Sequence, residues 1–334
     1  MAVTIQELAE RLGLSSATVS MALNGRPGVN PATRSRVEAL AKELGYTGGR
    51  AAGARDSLCF FVYRRHGRVV ADTQFFSQLI EAVENTARGM GYGLRLLYCS
   101  GTEELPAALQ SVERSGAGGL LLLATELSEE DFAPFANLSI PVVALDCDLR
   151  GIGADTVLID NREGLLLAVE HLNCLGHRQI GYLHSSFPIR NFEQRRQGYL
   201  EGAGRFGFAP VEFSLGPTLE ESYQDMAALI AGGAVLPTAL AADNDLIALG
   251  ALRALKHAGI RVPQEVSLTG FDDVPLCLLS DPELTSAAVD RQALGSLAVR
   301  RLVERMQGEQ CPSIKLVVPL SLSVRASACP PEGK

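Results

Sequence analysis

No run of about 18 uninterrupted apolar residues occurs in this chain of 334 residues, so nothing in it reads as a membrane span. The start has neither a positively charged segment nor an apolar one behind it, and the expectation is a cytoplasmic protein with no membrane partner. The seven cysteines, Cys59, Cys99, Cys147, Cys174, Cys277, Cys311 and Cys329, are odd in number, dispersed, and never form a C-x-x-C pair. That spacing argues for idle thiols in a reducing compartment and against a disulfide framework or a cysteine metal site. Signatures of catalysis are equally thin. Gly151-Ile152-Gly153 lacks the third glycine and the strand-turn-helix context of a dinucleotide loop, and the adjacent Asp272 and Asp273 need not face one substrate. No enzyme activity, cofactor or metal is expected.

What the sequence does contain begins at once. Thr4 to Ser20 spells a helix, a glycine turn and a second helix: Ile5, Leu8, Ala9 and Leu12 recur at helical spacing, and Gly13 supplies the left-handed turn. Ser15 reads as the N-cap of the second helix, whose Val19 and Leu23 point inward. Ser16, Ala17, Ser20, Met21 and Asn24 then share the outer face, and most are small enough to let the helix approach base edges in a major groove. Asn30-Pro31 announces a third helix through Val37, Leu40, Ala41 and Leu44 to Gly45. The bland alternative is a small helical cap that binds nothing. Charge favours the sharper reading. Residues 1–55 hold seven Lys/Arg against four Glu, a net of +3, so the other 279 residues carry −11 of the overall −8. A basic head on an acidic body suits a phosphate-binding module joined to a domain that does not bind nucleic acid.

From about residue 57 apolar strands alternate with amphipathic helices. Strands are expected at Leu58–Tyr63, Leu94–Tyr98, Gly119–Leu123, Val142–Leu145, Ile180–Leu183, Thr238–Ala242 and Val266–Leu268. Helices are expected at Phe76–Arg88, near 103–115, near 128–136, at Arg162–Leu175, near 190–206, near 221–231 and at Leu246–His257. Continuous apolar strands separated by helices imply parallel sheets covered on both faces. The fold class is therefore an all-α helix-turn-helix head plus an α/β core of two similar parallel-sheet units, with ligand binding expected in the cleft between them.

The order and spacing of many short motifs give this chain a resemblance to the LacI/GalR family of transcriptional regulators. In the head these are Thr4-Ile5, Leu8-Ala9, Ala17-Thr18-Val19-Ser20, Leu23-Asn24-Gly25, Thr33-Arg34 and Leu44-Gly45-Tyr46. In the body they include Asp160-Asn161, Leu175-Gly176-His177-Arg178, Arg195-x-x-Gly198-Tyr199, Asn244-Asp245 and Gly270-Phe271-Asp272-Asp273. The resemblance implies a head at 1–46, a hinge at 47–56, an effector-binding core at 57–328 shaped like a periplasmic sugar receptor, and a tail at 329–334. One subdomain is expected at about 57–159 plus 290–318 and the other at 160–289 plus 319–328. It implies a homodimer reading a pseudo-palindromic double-stranded operator, controlled by a small carbohydrate-like effector through a shift between subdomain arrangements. The tail has no leucine heptads, which favours a dimer over a tetramer. DNA contacts are expected from Thr4, Ser15, Ser16, Ala17, Thr18, Ser20, Met21, Asn24, Arg26, Arg34, Tyr46, Arg50 and Arg55.

For the ligand, the resemblance singles out Phe75, Asp146, Arg195, Tyr223, Asn244 and Asp272. An arginine fork and carboxylates can hold paired hydroxyls, an Asn amide donates and accepts, and aromatic faces pack on sugar C–H surfaces. Plainer readings stand beside these: a strand-end salt bridge for Asp146 and Arg195, helix N-caps for Asn244 and Asp272, and core packing for Phe76. A sugar receptor with a degenerate head is the alternative to the regulator.

Two departures from the family pattern matter. The hinge carries Gly48-Gly49 and Gly53, each costing a helix about 1 kcal/mol relative to alanine, and Arg55 stands where the family has a wedging leucine. Either Arg50 and Arg55 enter a narrow minor groove as cations, or the segment is a linker touching only phosphates. The segment Tyr63 to Asp72 is unusually basic, with Arg64, Arg65, His66 and Arg68. It reads as a cleft-mouth attraction for an acidic ligand, or as a solvated loop or partner contact.

Overall fold

The structure is a computed structural model and describes residues 5–23, 29–44, 56–70, 74–148, 153–308 and 312–332. Three helices open the chain, α1 (Ile5–Leu12), α2 (Ser16–Leu23) and α3 (Pro31–Glu43). Leu8, Ala9, Val19, Ala22, Val37 and Ala41 interlock as a small core of their own. Gly13 adopts φ +65°, the conformation that a Cβ would penalise. The hydroxyl of Ser15 accepts the Thr18 N–H at 3.1 Å, and the Asn30 carboxamide oxygen accepts the Ala32 N–H at 2.8 Å, so α2 and α3 are capped as their sequences predict. The expected stop at Gly45 lies outside the described residues.

A first lobe follows: β1 (Ser57–Arg64), α4 (Gln74–Gly89), β2 (Gly93–Ser100), α5 (Leu105–Ser115), β3 (Gly119–Leu123), α6 (Glu129–Ala136), β4 (Val142–Leu145) and β5 (Asp155–Ile159). The second comprises α7 (Asn161–Cys174), β6 (Ile180–Ser185), α8 (Arg190–Phe206), β7 (Val211–Leu215), α9 (Leu219–Ala231), β8 (Ala239–Ala242), α10 (Asp245–His257), β9 (Ser267–Asp272), a 3-10 turn at Pro275–Leu278, and β10 (Thr285–Ala288). The chain then returns through α11 (Arg291–Met306) and β11 (Lys315–Val318) and ends in β12 (Ser321–Ser323).

Two six-stranded sheets result, ordered β11-β5-β4-β3-β1-β2 and β12-β10-β9-β8-β6-β7. Every pairing is parallel except β10 with β12. Central strands are buried along their whole length, β3 and β8 at every residue, which is why they read as unbroken apolar runs. The chain crosses between the sheets after β5, after β10 and after β11. In the first lobe α11 lies against α4 and beside β3, β4 and β5; in the second α7 packs on α8. Gly198 permits that last contact, since a Cβ there would overlap the Arg162 carbonyl oxygen. Among the described residues no helix is long and apolar enough to cross a membrane.

One feature far from the cleft fixes the returning helix. Asp155, at the start of β5, accepts Arg301 Nε at 2.9 Å, Arg305 Nε at 2.5 Å and the Ile314 N–H at 2.7 Å. Burial pushes its carboxyl up, and the two guanidiniums and the backbone N–H outweigh burial and hold it below the usual carboxylate range.

Candidate functional site

The carboxyl ends of strands from both sheets open on one cavity of about 250 Å³, the position at which open α/β sheets bind ligands. The first lobe contributes Thr125 after β3, Asp146 after β4, Arg68 after β1, and Phe75 and Phe76 from the first turn of α4. The second contributes Asn191, Phe192 and Arg195 from the start of α8, Asn244 after β8, and Asp272 at the end of β9. Asp146 and Asp272 take positive φ, 61° and 104°, a backbone conformation held against steric cost at functional positions.

Arg195 is the hub. It is 4% exposed, and its Nε donates to Asn161 Oδ1 at 2.8 Å, Nη1 to the Asp243 carbonyl oxygen, and Nη2 to Asp272 Oδ1 at 3.4 Å. The ring of Phe271 lies 3.6 Å from its guanidinium carbon, a cation–π seat that fixes the fork. Carboxylates surround it in excess. Asp146 accepts the Thr125 hydroxyl at 2.6 Å and Asn191 Nδ2 at 3.2 Å, so a hydrogen bond already spans the lobes. Asp243 accepts the Ser185 N–H at 2.7 Å and the Tyr182 hydroxyl. Asp245 accepts the Ser286 hydroxyl at 2.6 Å and the Val274 N–H at 2.8 Å. Burial pushes Asp146 and Asp243 up to about 6, and burial with the nearby charge of Asp272 pushes Asp245 up to about 7. Asp272 is raised as well, again by burial.

The structure brings Phe75, Asp146, Arg195, Asn244 and Asp272 around the cavity. Phe75 packs edge-to-face on Phe76, with ring centroids 5.1 Å apart. Asn244 is both cavity wall and N-cap: its Oδ1 accepts the Ile247 N–H at 2.9 Å, which leaves its NH2 as the donor for a ligand. Two corrections follow. Asp272 is not a helix N-cap but the last residue of β9. Tyr223 is not in the cavity lining; its hydroxyl meets His257 Nδ1 at 3.0 Å and Arg253 lies over its ring, because residue 223 falls on the face of α9 turned toward α10. Sequence reasoning passed over Thr125, Asn191, Phe192 and Asp245. Asn191 stands one helical turn before Arg195, a spacing that places both on one face.

The basic segment is compensated within the protein. Arg64 lies over the Tyr98 ring, Arg65 pairs with Asp131 at 3.4 Å, and Arg68 pairs with Glu221. In the head, Ser15 and Ser16 are exposed, and Thr18, Met21 and Arg34 are half-buried. Ala17 and Ser20 lie on α2. Thr4, Asn24, Arg26, Tyr46, Arg50 and Arg55 lie outside the described residues. Each described cysteine is a free thiol.

A three-helix head with a capped second helix, joined to a two-lobed α/β body with one cavity lined by both lobes, defines a ligand-responsive DNA-binding protein. Comparison with known proteins makes this specific. Residues 4–48 match the model of bacterial regulatory proteins of the lacI family, and residues 169–328 match a periplasmic binding protein-like domain. The HTH-type transcriptional repressor CytR of Escherichia coli K12 is 30% identical over 98% of this chain and 96% of its own. The repressor PurR of Mannheimia succiniciproducens is 30% identical over 97% of this chain and 98% of its own. A lac repressor dimer bound to operator and the anti-inducer ONPF superposes with a TM-score of 0.75 at 27% identity, covering 98% of this chain and all of that one. A complex of the regulator CelR with cellobiose gives 0.72, at 27% identity and the same coverage. The chain belongs to the lacI family of transcriptional regulators, whose members compared here are regulators and not enzymes.

Proposed function

We propose that this regulator is a cytoplasmic repressor that binds a pseudo-palindromic operator as a homodimer, and that a small carbohydrate-like molecule in the cavity sets its operator affinity. The observation that carries the reading is the convergence of both lobes on one cavity. Thr125 and Asp146 come from one side; Asn191, Arg195, Asn244 and Asp272 come from the other. A ligand touching both walls binds one lobe arrangement better than another, and only such differential affinity can shift a conformational equilibrium. Carboxylates, a guanidinium fork and amide donors beside the Phe75 ring suit a hydroxylated ring with a C–H face. The cavity is also smaller than the roughly 300–1,000 Å³ of drug-sized sites, which favours a single ring.

On DNA, Ser16, Ala17, Ser20 and Met21 are the proposed base-facing residues of α2, with Met21 suited to a thymine methyl group. Arg34 is proposed as a phosphate contact. Relatives solved as an operator-bound dimer and as a cellobiose complex support the partner classes.

Selection of bound duplexes from a random pool by the full-length protein, with and without mixed neutral sugars, tests this. A palindromic motif whose enrichment changes with sugar is the expected result. No motif in either condition overturns the operator reading and leaves a receptor with a degenerate head.

A further inference from the structure

The loop from Arg65 to Val70 is held in one shape by a single carboxylate. Glu126, 4% exposed, accepts the N–H groups of His66 at 3.0 Å, Gly67 at 2.9 Å, Val69 at 2.8 Å and Val70 at 2.7 Å. Four converging N–H groups make a fixed cradle, so the direction in which Arg68 leaves the loop is set by the first lobe. Its side chain crosses to the second. There the Arg68 guanidinium lies 4.7 Å from the centre of the Phe187 ring, and its Nη2 donates to Glu221 Oε1. Glu221 is itself prepared for this role. It sits in the first turn of α9, where its Oε2 accepts the Thr218 hydroxyl at 2.8 Å and its N–H donates to the Thr218 oxygen at 3.3 Å, an N-cap whose hydroxyl also restrains the carboxylate.

Arg68 also lines the cavity. Its Nε is buried and has no partner among the described residues, although buried donors are nearly always paired. We propose that Arg68 is a ligand-contacting residue that clasps the cleft: Glu221 holds its Nη2 while its Nε–H donates to an oxygen of an uncharged, hydroxylated ligand. This rests on the carbohydrate-like reading above. The uncharged class follows from the balance of the wall. Glu221 neutralises Arg68, and the remaining ionisable lining groups are Asp146, Asp245 and Asp272 against Arg195, so the wall has acidic groups in excess and no spare cation for a phosphate or carboxylate. The basic segment thus serves closure and hydrogen bonding, not attraction of an acid.

Two variants separate the roles. Arg68→Lys keeps a cation for Glu221 but has no donor at the Nε position; Arg68→Ala removes both. In full-length protein without ligand, hydrogen exchange followed by mass spectrometry is expected to speed up across residues 218–223 of the second lobe in Arg68→Ala and to stay near wild type in Arg68→Lys. Unchanged exchange there in Arg68→Ala overturns the clasp. Thermal shift and calorimetry with D-ribose, D-xylose, D-glucose and D-galactose, against D-glucuronate and D-glucose 6-phosphate, test the contact. A neutral sugar that stabilises wild type and binds at least tenfold more weakly to both variants supports it. Equal affinity in the variants, or stabilisation by the acids alone, overturns it. An intact exchange response with no sugar bound rejects the carbohydrate reading and the contact that rests on it, and leaves the clasp standing.

Discussion

Each lobe buries an arginine–aspartate network, and the two are balanced in opposite directions. In the first lobe one carboxylate, Asp155, meets Arg301, Arg305 and a backbone N–H, and is held below its ordinary range. In the second, one guanidinium, Arg195, stands among Asp243, Asp245 and Asp272, with Asp146 facing it across the cleft, and burial pushes all four carboxyls up. The first network is complete and can only hold α11 to β5. The second has acidic oxygens in excess, and among the described residues the Asp272 carboxylate has only the 3.4 Å hydrogen bond from Arg195. Buried acidic oxygens left short of partners are the reason the ligand's hydroxyls are proposed to bind there.

Breaking the complete network has the largest expected effect. Asp155→Asn leaves two arginines facing a neutral amide, and removing one partner of a buried pair costs about 3–5 kcal/mol. The low end is expected because Arg301 retains Glu304 at 3.0 Å. Urea denaturation should show that loss with an unchanged m-value, and a loss below about 1 kcal/mol would mean that Asp155 is not the anchor. The matching change in the cleft, Asp272→Asn, removes a charge that burial already disfavours, and a change in stability within about 1 kcal/mol is expected. Its effect belongs to binding. The thermal shift that a sugar gives wild type should shrink strongly in Asp272→Asn and persist in Asp155→Asn at matched fractions folded. The reverse pattern would exchange the roles assigned to the two networks.

The same contrast explains what the sequence made legible. The head is local: Ser15, Asn30, Gly13 and the apolar spacing act within a turn or two, and each could be read where it stood. Buried central strands such as Gly119–Leu123 and Val142–Leu145 were equally plain because continuous apolar runs need no partner to be recognised. The pattern missed β5, β7, β10, β11 and β12, whose sequences DTVLI, VEFSL, TSAA, KLVV and SLS mix polar residues into short strands. In β10, Thr285 and Ser286 are buried because Ser327 and Asp245 bond to them. Helix α11 was missed as well, its inward face including Arg301, which becomes core only when Asp155 arrives from residues far earlier in the chain. In the cleft, strand-end positions pointed to Asp146 and Asn244. Thr125 and the Arg68–Glu221 contact depend on how loops meet across 21 and 153 residues of sequence, and no local spacing encodes that. Tyr223 shows the converse, an aromatic at a plausible position that α9 turns toward His257.

The smallest expected effect is one of slope, and it tests the excess of carboxylates directly. Asp146, Asp243 and Asp245 are pushed up to about 6, 6 and 7. An acid with a higher pKa folded than unfolded binds protons more readily in the folded state, so its contribution is fully present below the unfolded value near 4 and is lost as pH rises through 6 to 7. Asp155 and Glu126 shift the other way and lose their contributions only as pH falls below the ordinary carboxylate range. His171 and His177, drawn down by burial, oppose the cleft carboxylates in the same window, since the stability they add is lost as pH falls below about 6.5. A bare melting profile therefore mixes both signs. The difference between wild type and Asp245→Asn removes the histidines from the comparison, because they are common to both proteins. Asparagine can still accept the Val274 N–H and donate to Ser286, so the variant keeps the local bonds while losing the titration. The melting temperature of wild type relative to Asp245→Asn should fall as pH rises from 5 to 8, most steeply between the unfolded and folded values and levelling off above about 7. A flat difference would mean that Asp245 does not titrate in this range, and the second network would then lose the imbalance that sets it apart from the first.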